Sequence, residues 1–143
     1  MVLPEKTMNT YLDNSNMIDG VKFNTPSWFY LSPNNYSDTL YFKKGESEIS
    51  VKSVVTEKSS AKEYIDNDGG YHSIVTIGGL TFYKKYMWRA SISDISNFDL
   101  TRIPENRTEY SEYFFDFEGK IFSISIDDDI FNHETLLKEI LRI

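Results

Sequence analysis

The segment from Tyr110 to Ile126 constrains the fold more than any other. It reads Tyr110-Ser111-Glu112-Tyr113-Phe114-Phe115-Asp116-Phe117, then Glu118-Gly119, then Lys120-Ile121-Phe122-Ser123-Ile124-Ser125-Ile126. Phe122, Ile124 and Ile126 alternate with Ser123 and Ser125. Side chains on a strand point to opposite faces in turn, so this pattern buries one face. Two such runs joined through a short Gly-containing break make a hairpin. The aromatic share, 15% with ten Tyr and ten Phe, fits a strand-rich core.

Other segments extend the same reading. Glu48-Ile49-Ser50-Val51-Lys52-Ser53-Val54 alternates strictly, with Ile49, Val51 and Ser53 on one face. It follows Thr39-Leu40-Tyr41-Phe42-Lys43 across a Lys44-Gly45-Glu46 turn. Val21 and Phe23 share a face of a strand over Val21–Asn24 that Pro26 breaks, and Ser27–Leu31 continues as an aromatic turn or strand. Ser59 or Ser60 caps a short helix over Ala61–Ile65, with Glu63 placed as in a capping box, and Asp66-Asn67-Asp68-Gly69-Gly70 stops it. Tyr71–Thr76 and the run from Leu80 to Ile92 read as strands about a Gly78-Gly79 turn, and residues 93–107 as a loop. Leu136, Leu137, Ile140 and Leu141 form one stripe of a C-terminal helix suited to packing on a sheet, with Asn132 as the expected N-cap. The order predicts an α+β fold: an antiparallel β-sheet with a short mid-chain helix and a C-terminal amphipathic helix packed on it. A single domain over 17–143 follows a polar arm, residues 1–16.

Composition excludes several functions. No Cys is present, which removes disulfides, Cys-ligated zinc and thiol nucleophiles, and two His make a multi-His metal site a poor expectation. No apolar run is long enough for a transmembrane helix, and Met1–Lys6 has no signal-peptide pattern, so a cytoplasmic location is expected. A domain from a longer exported protein is the alternative. The net charge of −7 is localised. Between Glu105 and Glu134 lie nine acids (Glu105, Glu109, Glu112, Asp116, Glu118, Asp127, Asp128, Asp129, Glu134) against Arg107 and Lys120, while the remainder balances. Phosphate-rich nucleic acid and anionic membranes want the opposite sign and are not expected partners. A basic protein partner fits; so does an acidic surface that serves only solubility.

Three stretches carry a family resemblance. Gly20-Val21-Lys22-Phe23-Asn24-Thr25-Pro26-Ser27-Trp28 resembles the G-x-x-F-x-x-P-x-W opening of the PsbP-like fold family. Ile77-Gly78-Gly79-Leu80-Thr81-Phe82-Tyr83 and the Tyr113-Phe114-Phe115…Gly119-Lys120-Ile121-Phe122-Ser123-Ile124 hairpin before a terminal helix are similar to its later elements. The family includes photosystem II extrinsic proteins, a Ran-binding import factor, DcrB-type proteins and Eag-type chaperones. The resemblance implies a binding, docking or chaperoning module with no shared catalytic motif.

No catalytic motif stands out. His72 and His133 are far apart in sequence, and there is no G-x-S-x-G elbow, Walker loop or G-x-G-x-x-G. Asp66–Gly70 departs from a calcium loop because Gly falls too early and the closing Glu is missing. The sequons Asn35-Tyr36-Ser37 and Asn106-Arg107-Thr108 matter only on a glycosylating route. Phe82, Tyr83, Tyr86 and Trp88, near Lys84, Lys85 and Arg89, read as core packing, since at strand spacing half of them face the core, with an exposed aromatic strip of the base-stacking kind as the alternative. The expectation is a non-catalytic adaptor, chaperone or immunity-type inhibitor, without cofactor. Its partner-binding candidates are Glu109, Glu112, Asp116, Glu118, Asp127, Asp128, Asp129, Tyr86 and Trp88. A homodimer through an aromatic strip or edge strand is a second mode of association. The competing expectation is a small-ligand or metal-dependent enzyme built on Asp116, Asp127 to Asp129 and His133.

Overall fold

Four pairs of adjacent strands meet at tight turns, and each turn matches its residues. The computed structural model describes residues 16–33, 38–90 and 105–143. Its strands are β1 (Met17–Ile18), β2 (Val21–Lys22), β3 (Tyr30–Ser32), β4 (Thr39–Lys44), β5 (Ser47–Ser53), β6 (Ser73–Ile77), β7 (Leu80–Arg89), β8 (Thr108–Phe117) and β9 (Lys120–Asp127). The helices are α1 (Ala61–Asn67) and α2 (His133–Leu141). At the β8–β9 turn both Glu118 (φ 52°) and Gly119 (φ 74°) are left-handed, as a type I′ hairpin requires. At the β4–β5 turn only Gly45 is (φ 62°), the type II′ arrangement.

All pairings are antiparallel. The large sheet has seven strands in the order β3-β4-β5-β9-β8-β7-β6, and β1 pairs with β2 as a separate ribbon. The β8–β9 register sets Phe115 opposite Phe122 and Tyr113 opposite Ile124, and β5 sets Val51 opposite Ile124 and Ile49 opposite Ile126. That face joins Ile18, Val21 and Phe23 and the α2 residues Leu136, Leu137, Ile140 and Leu141 in one buried cluster. Phe23 meets Phe122 edge to face at 4.9 Å, and Phe82 lies 5.0 Å from Phe115. On the opposite face Phe114 and Ile121 form a smaller cluster with Ala61 and Ile65 of α1.

Several expected elements change in detail. The strand expected over Val21–Asn24 pairs only through Val21–Lys22. Beyond it the Asn24 amide and side chain leave the ribbon and donate to the Ile140 carbonyl, at 2.8 and 3.1 Å. This supplies an α2 carbonyl that the helix itself cannot satisfy. At α1 the Ser60 hydroxyl accepts from the Glu63 amide (3.1 Å), but the Glu63 carboxylate returns to the Ser59 amide, one residue upstream of a standard capping box. Asn132 does not cap α2 with its side chain. Its backbone is left-handed (φ 59°), outside the extended region from which an N-cap side chain reaches the first turn. The run from Leu80 is one strand ending at Arg89. Its Ile92 end, the loop residues 93–104, the Asn35 sequon and nearly all of the N-terminal arm lie outside the described residues.

Phe122 is fully buried between Phe23 and Phe115. Phe122→Ala is expected to cost about 3–5 kcal/mol through lost burial and an unfilled cavity. Urea denaturation followed by circular dichroism measures it, and a loss below about 1 kcal/mol would show that the ring is not central.

Candidate functional site

Strand pairing splits the acidic run between two faces. Along β8 the side chain of Glu109 points to one face and those of Glu112 and Asp116 to the other, because the period of a strand is two. Trp88 stands directly opposite Glu109, and Tyr86 opposite Ser111, so these four share a face. The Asp128 amide donates to the Glu109 carbonyl at 3.0 Å, and the Ser111 hydroxyl donates to the Asp128 carboxylate at 2.8 Å. Tyr86, Trp88, Glu109 and Asp128 therefore meet at one end of the sheet. Tyr86 is 55% exposed and Trp88 42%. Glu109 and Asp128 also line a hollow of about 480 Å³ with Glu105, Arg107 and Asp129. The Arg107 guanidinium donates to Glu109 at 2.8 and 3.1 Å and fixes that carboxylate beside Trp88.

The patch is held from behind. The Tyr86 amide donates to His72 Nδ1 at 3.0 Å, and the Lys84 ammonium lies 4.8 Å from the Tyr86 ring centre. Below it, His133 Nε2 stands 3.2 Å from the Asp127 carbonyl, and its Nδ1 lies 2.9 Å from the Tyr113 hydroxyl. A carbonyl can only accept, so Nε2 carries the proton and Nδ1 accepts from Tyr113. Burial lowers the His133 pKa and raises that of Tyr113, which keeps both groups neutral near pH 7. This neutral pair ties the start of α2 to the centre of β8.

The remaining candidates serve the interior or the turns. Asp127 is 3% exposed and receives Arg89 Nη2 at 2.8 and 3.1 Å and the Glu48 amide at 3.0 Å. Glu112, 7% exposed, accepts from the Ser123 hydroxyl (3.1 Å) and pairs with Lys52 at 3.4 Å. Neither offers a partner a free carboxylate, since both are turned to the α1 side of the sheet among neighbouring long side chains. Asp116 accepts the Ala61 amide at 3.0 Å and so anchors the first turn of α1. Glu118 sits in the β8–β9 turn. The set Asp116, Asp127, Asp128, Asp129 and His133 does not converge: their side chains engage Ala61, Arg89, Ser111, Ser47 and Tyr113 respectively. Among the described residues no three acids or histidines are grouped to hold a metal ion.

Two aromatic groups that spacing does not single out as binding residues are the most exposed rings among the described residues: Trp28 and Phe131. Trp28 belongs to a turn whose direction depends on a left-handed backbone (φ 75°), and Phe131 lies just outside the apolar stripe of α2. Nothing in local composition reports either fact.

The His133 linkage has a definite sign. A histidine whose folded-state pKa is depressed contributes full stability above its unfolded value, about 6.5, and loses it as pH falls through that value toward the folded pKa. Unfolding free energy measured in urea is expected to drop between pH 7.5 and 5.5. His133→Gln should show a shallower drop; an equal slope in both proteins would remove His133 as the cause.

No family profile matches the chain, and no curated protein matches it. A solved structure from Bacteroides thetaiotaomicron VPI-5482 is similar in part, with 12% sequence identity and a TM-score of 0.49 over 83% of this chain. This chain spans 42% of that one.

Proposed function

We propose that the chain is a non-catalytic protein-binding module that meets a basic partner with the sheet end formed by Tyr86, Trp88, Glu109 and Asp128. One observation carries the reading: two half-exposed aromatic rings on adjacent positions of one strand face are bordered directly by two positioned carboxylates. Buried aromatic anchors with a charged rim are the composition of interface hot spots. The rim is acidic in balance, with Glu105, Glu109, Asp128 and Asp129 against Arg107, which favours approach of a basic surface. An adaptor, chaperone or immunity-type inhibitor in the cytoplasm is the biological form this takes. Membership of the PsbP-like family is part of the same proposal, supported by the strand, helix, hairpin and terminal-helix order. Among the described residues no helix is long and apolar enough to cross a membrane.

The test is capture of partners by tagged protein from native lysate at low and high salt, followed by quantitative binding of the captured protein. Trp88→Ala is expected to weaken binding by about tenfold or more, as a central aromatic does. Glu109→Lys should weaken it further at low salt and less at high salt, because exposed charges are screened. Charge reversal at Glu112 is unsuitable here, since it buries an unmatched charge beside Lys52 and tests folding instead. A stoichiometric complex indifferent to salt, Trp88 and Glu109 would end this reading.

A further inference from the structure

A second hollow, of about 530 Å³, lies between the turn that carries Trp28, the β4–β5 hairpin and the first turns of α2. Trp28 and Phe131 both line it, 87% and 88% exposed. A left-handed backbone is associated with each ring: Trp28 itself (φ 75°) and Asn132, the residue after Phe131 (φ 59°). Asn tolerates this region, but for a bulky residue it is an outlier. Holding an indole in strained backbone so that it faces water opposes both backbone preference and apolar burial.

The surroundings impose the turn. The Ser27 amide and hydroxyl donate to the two Glu139 carboxylate oxygens at 3.0 and 3.3 Å, and the Phe29 amide donates to the Pro26 carbonyl at 3.2 Å. With the Asn24 bonds to Ile140, residues before and after Trp28 are fixed to α2 or to each other. The ring is presented by construction.

The polar lining points to the ligand class. The Asp129 carboxylate accepts from the Ser47 hydroxyl at 2.9 Å and the Glu139 carboxylate from Ser27, each with lone pairs left. Lys44, across the hollow's lining, forms no ion pair among the described residues. With both signs in one small space, neither an anion nor a cation is matched throughout. A neutral molecule is matched if its hydroxyls donate to carboxylates and accept from an ammonium, and if its C–H faces lie on aromatic rings. We infer that this hollow binds a neutral saccharide, with Trp28 and Phe131 as stacking platforms and Asp129, Glu139 and Lys44 as the hydrogen-bonding rim. The volume is in the range of small-ligand sites, about 300–1,000 Å³. The site shares Asp129 with the hollow beside the Tyr86–Trp88 patch, but its two rings, Trp28 and Phe131, belong to it alone.

The chain has two Trp, so Trp88→Phe leaves Trp28 as the only tryptophan and makes its fluorescence specific. This protein is titrated with maltotriose, cellotriose, xylotriose and triacetylchitotriose. A saturable blue shift with at least one is expected, weakened about tenfold or more by Phe131→Ala and measurably by Lys44→Ala. Trp28→Gly, read by calorimetry because its fluorophore is gone, should lose binding while its thermal midpoint holds or rises, since glycine relieves the left-handed backbone. No saturable shift with any of the four at 20 mM would overturn the inference. So would a shift produced by a Lys-rich peptide in their place, or a midpoint several degrees lower in Trp28→Gly, which would make the ring structural.

Discussion

The contact of Phe122 with Phe23 and Phe115 is the one on which the rest of the molecule depends. β9 runs between β5 and β8, and its pairing with β5 closes a long stretch of chain. Such closure is entropically expensive before any distant contact forms, and hairpin turns alone do not offset it. The offset comes from the apolar face of β9, where Phe122, Ile124 and Ile126 are fully buried against residues from both ends of the sequence. Phe23 arrives from the N-terminal ribbon, and α2 arrives from the C-terminus. Both are then joined by the Asn24 bonds to Ile140. Without the ring contacts those polar bonds would have no fixed geometry to complete.

On the other face of the sheet, beside the Phe114–Ile121 cluster under α1, charge links the strands. Arg89 on β7 reaches past Tyr110 on β8, at 5.3 Å from its ring, to Asp127 on β9 and toward Glu48 on β5 at 3.7 Å. One guanidinium thereby links four neighbouring strands. Lys52 and Glu112 repeat the device one row along. In each pair the carboxylate is buried and the cation half exposed, so removing the cation leaves a buried charge without compensation. These acids are therefore committed to register and are poor candidates for recognition, although they lie in the most acidic part of the chain.

That distinction explains what could be read from sequence and what could not. The β8–β9 and β4–β5 hairpins, the Ser60 start of α1 and the apolar stripe of α2 are local patterns, with period two, period 3.6 or a turn residue to mark them, and they appear where those patterns place them. The net charge of a segment is not a local pattern of that kind. Glu109 and Glu112 are three residues apart and point to opposite faces, and Asp127 and Asp128 are adjacent yet engage Arg89 and Ser111 on opposite sides. Only the register separates the carboxylates that are spent from those that are offered. Trp28 carries no local mark at all. Its exposure follows from a positive φ imposed by bonds to Glu139, more than a hundred residues away.

Both exposed aromatic sites are carried on rigid parts, which is what precise recognition needs. Trp88 and Tyr86 stand on a long strand paired through Arg89, and Trp28 stands on a turn bonded to α2. The first turn of α2 lies between them, and Asp129, just before it, lines both hollows. Asp129 is therefore the residue least able to tell the two sites apart, since removing its charge alters the field in each and frees the Ser47 hydroxyl. The two tryptophans separate them cleanly. Each is confined to one hollow or patch, and neither side chain is buried in the core on which the other depends.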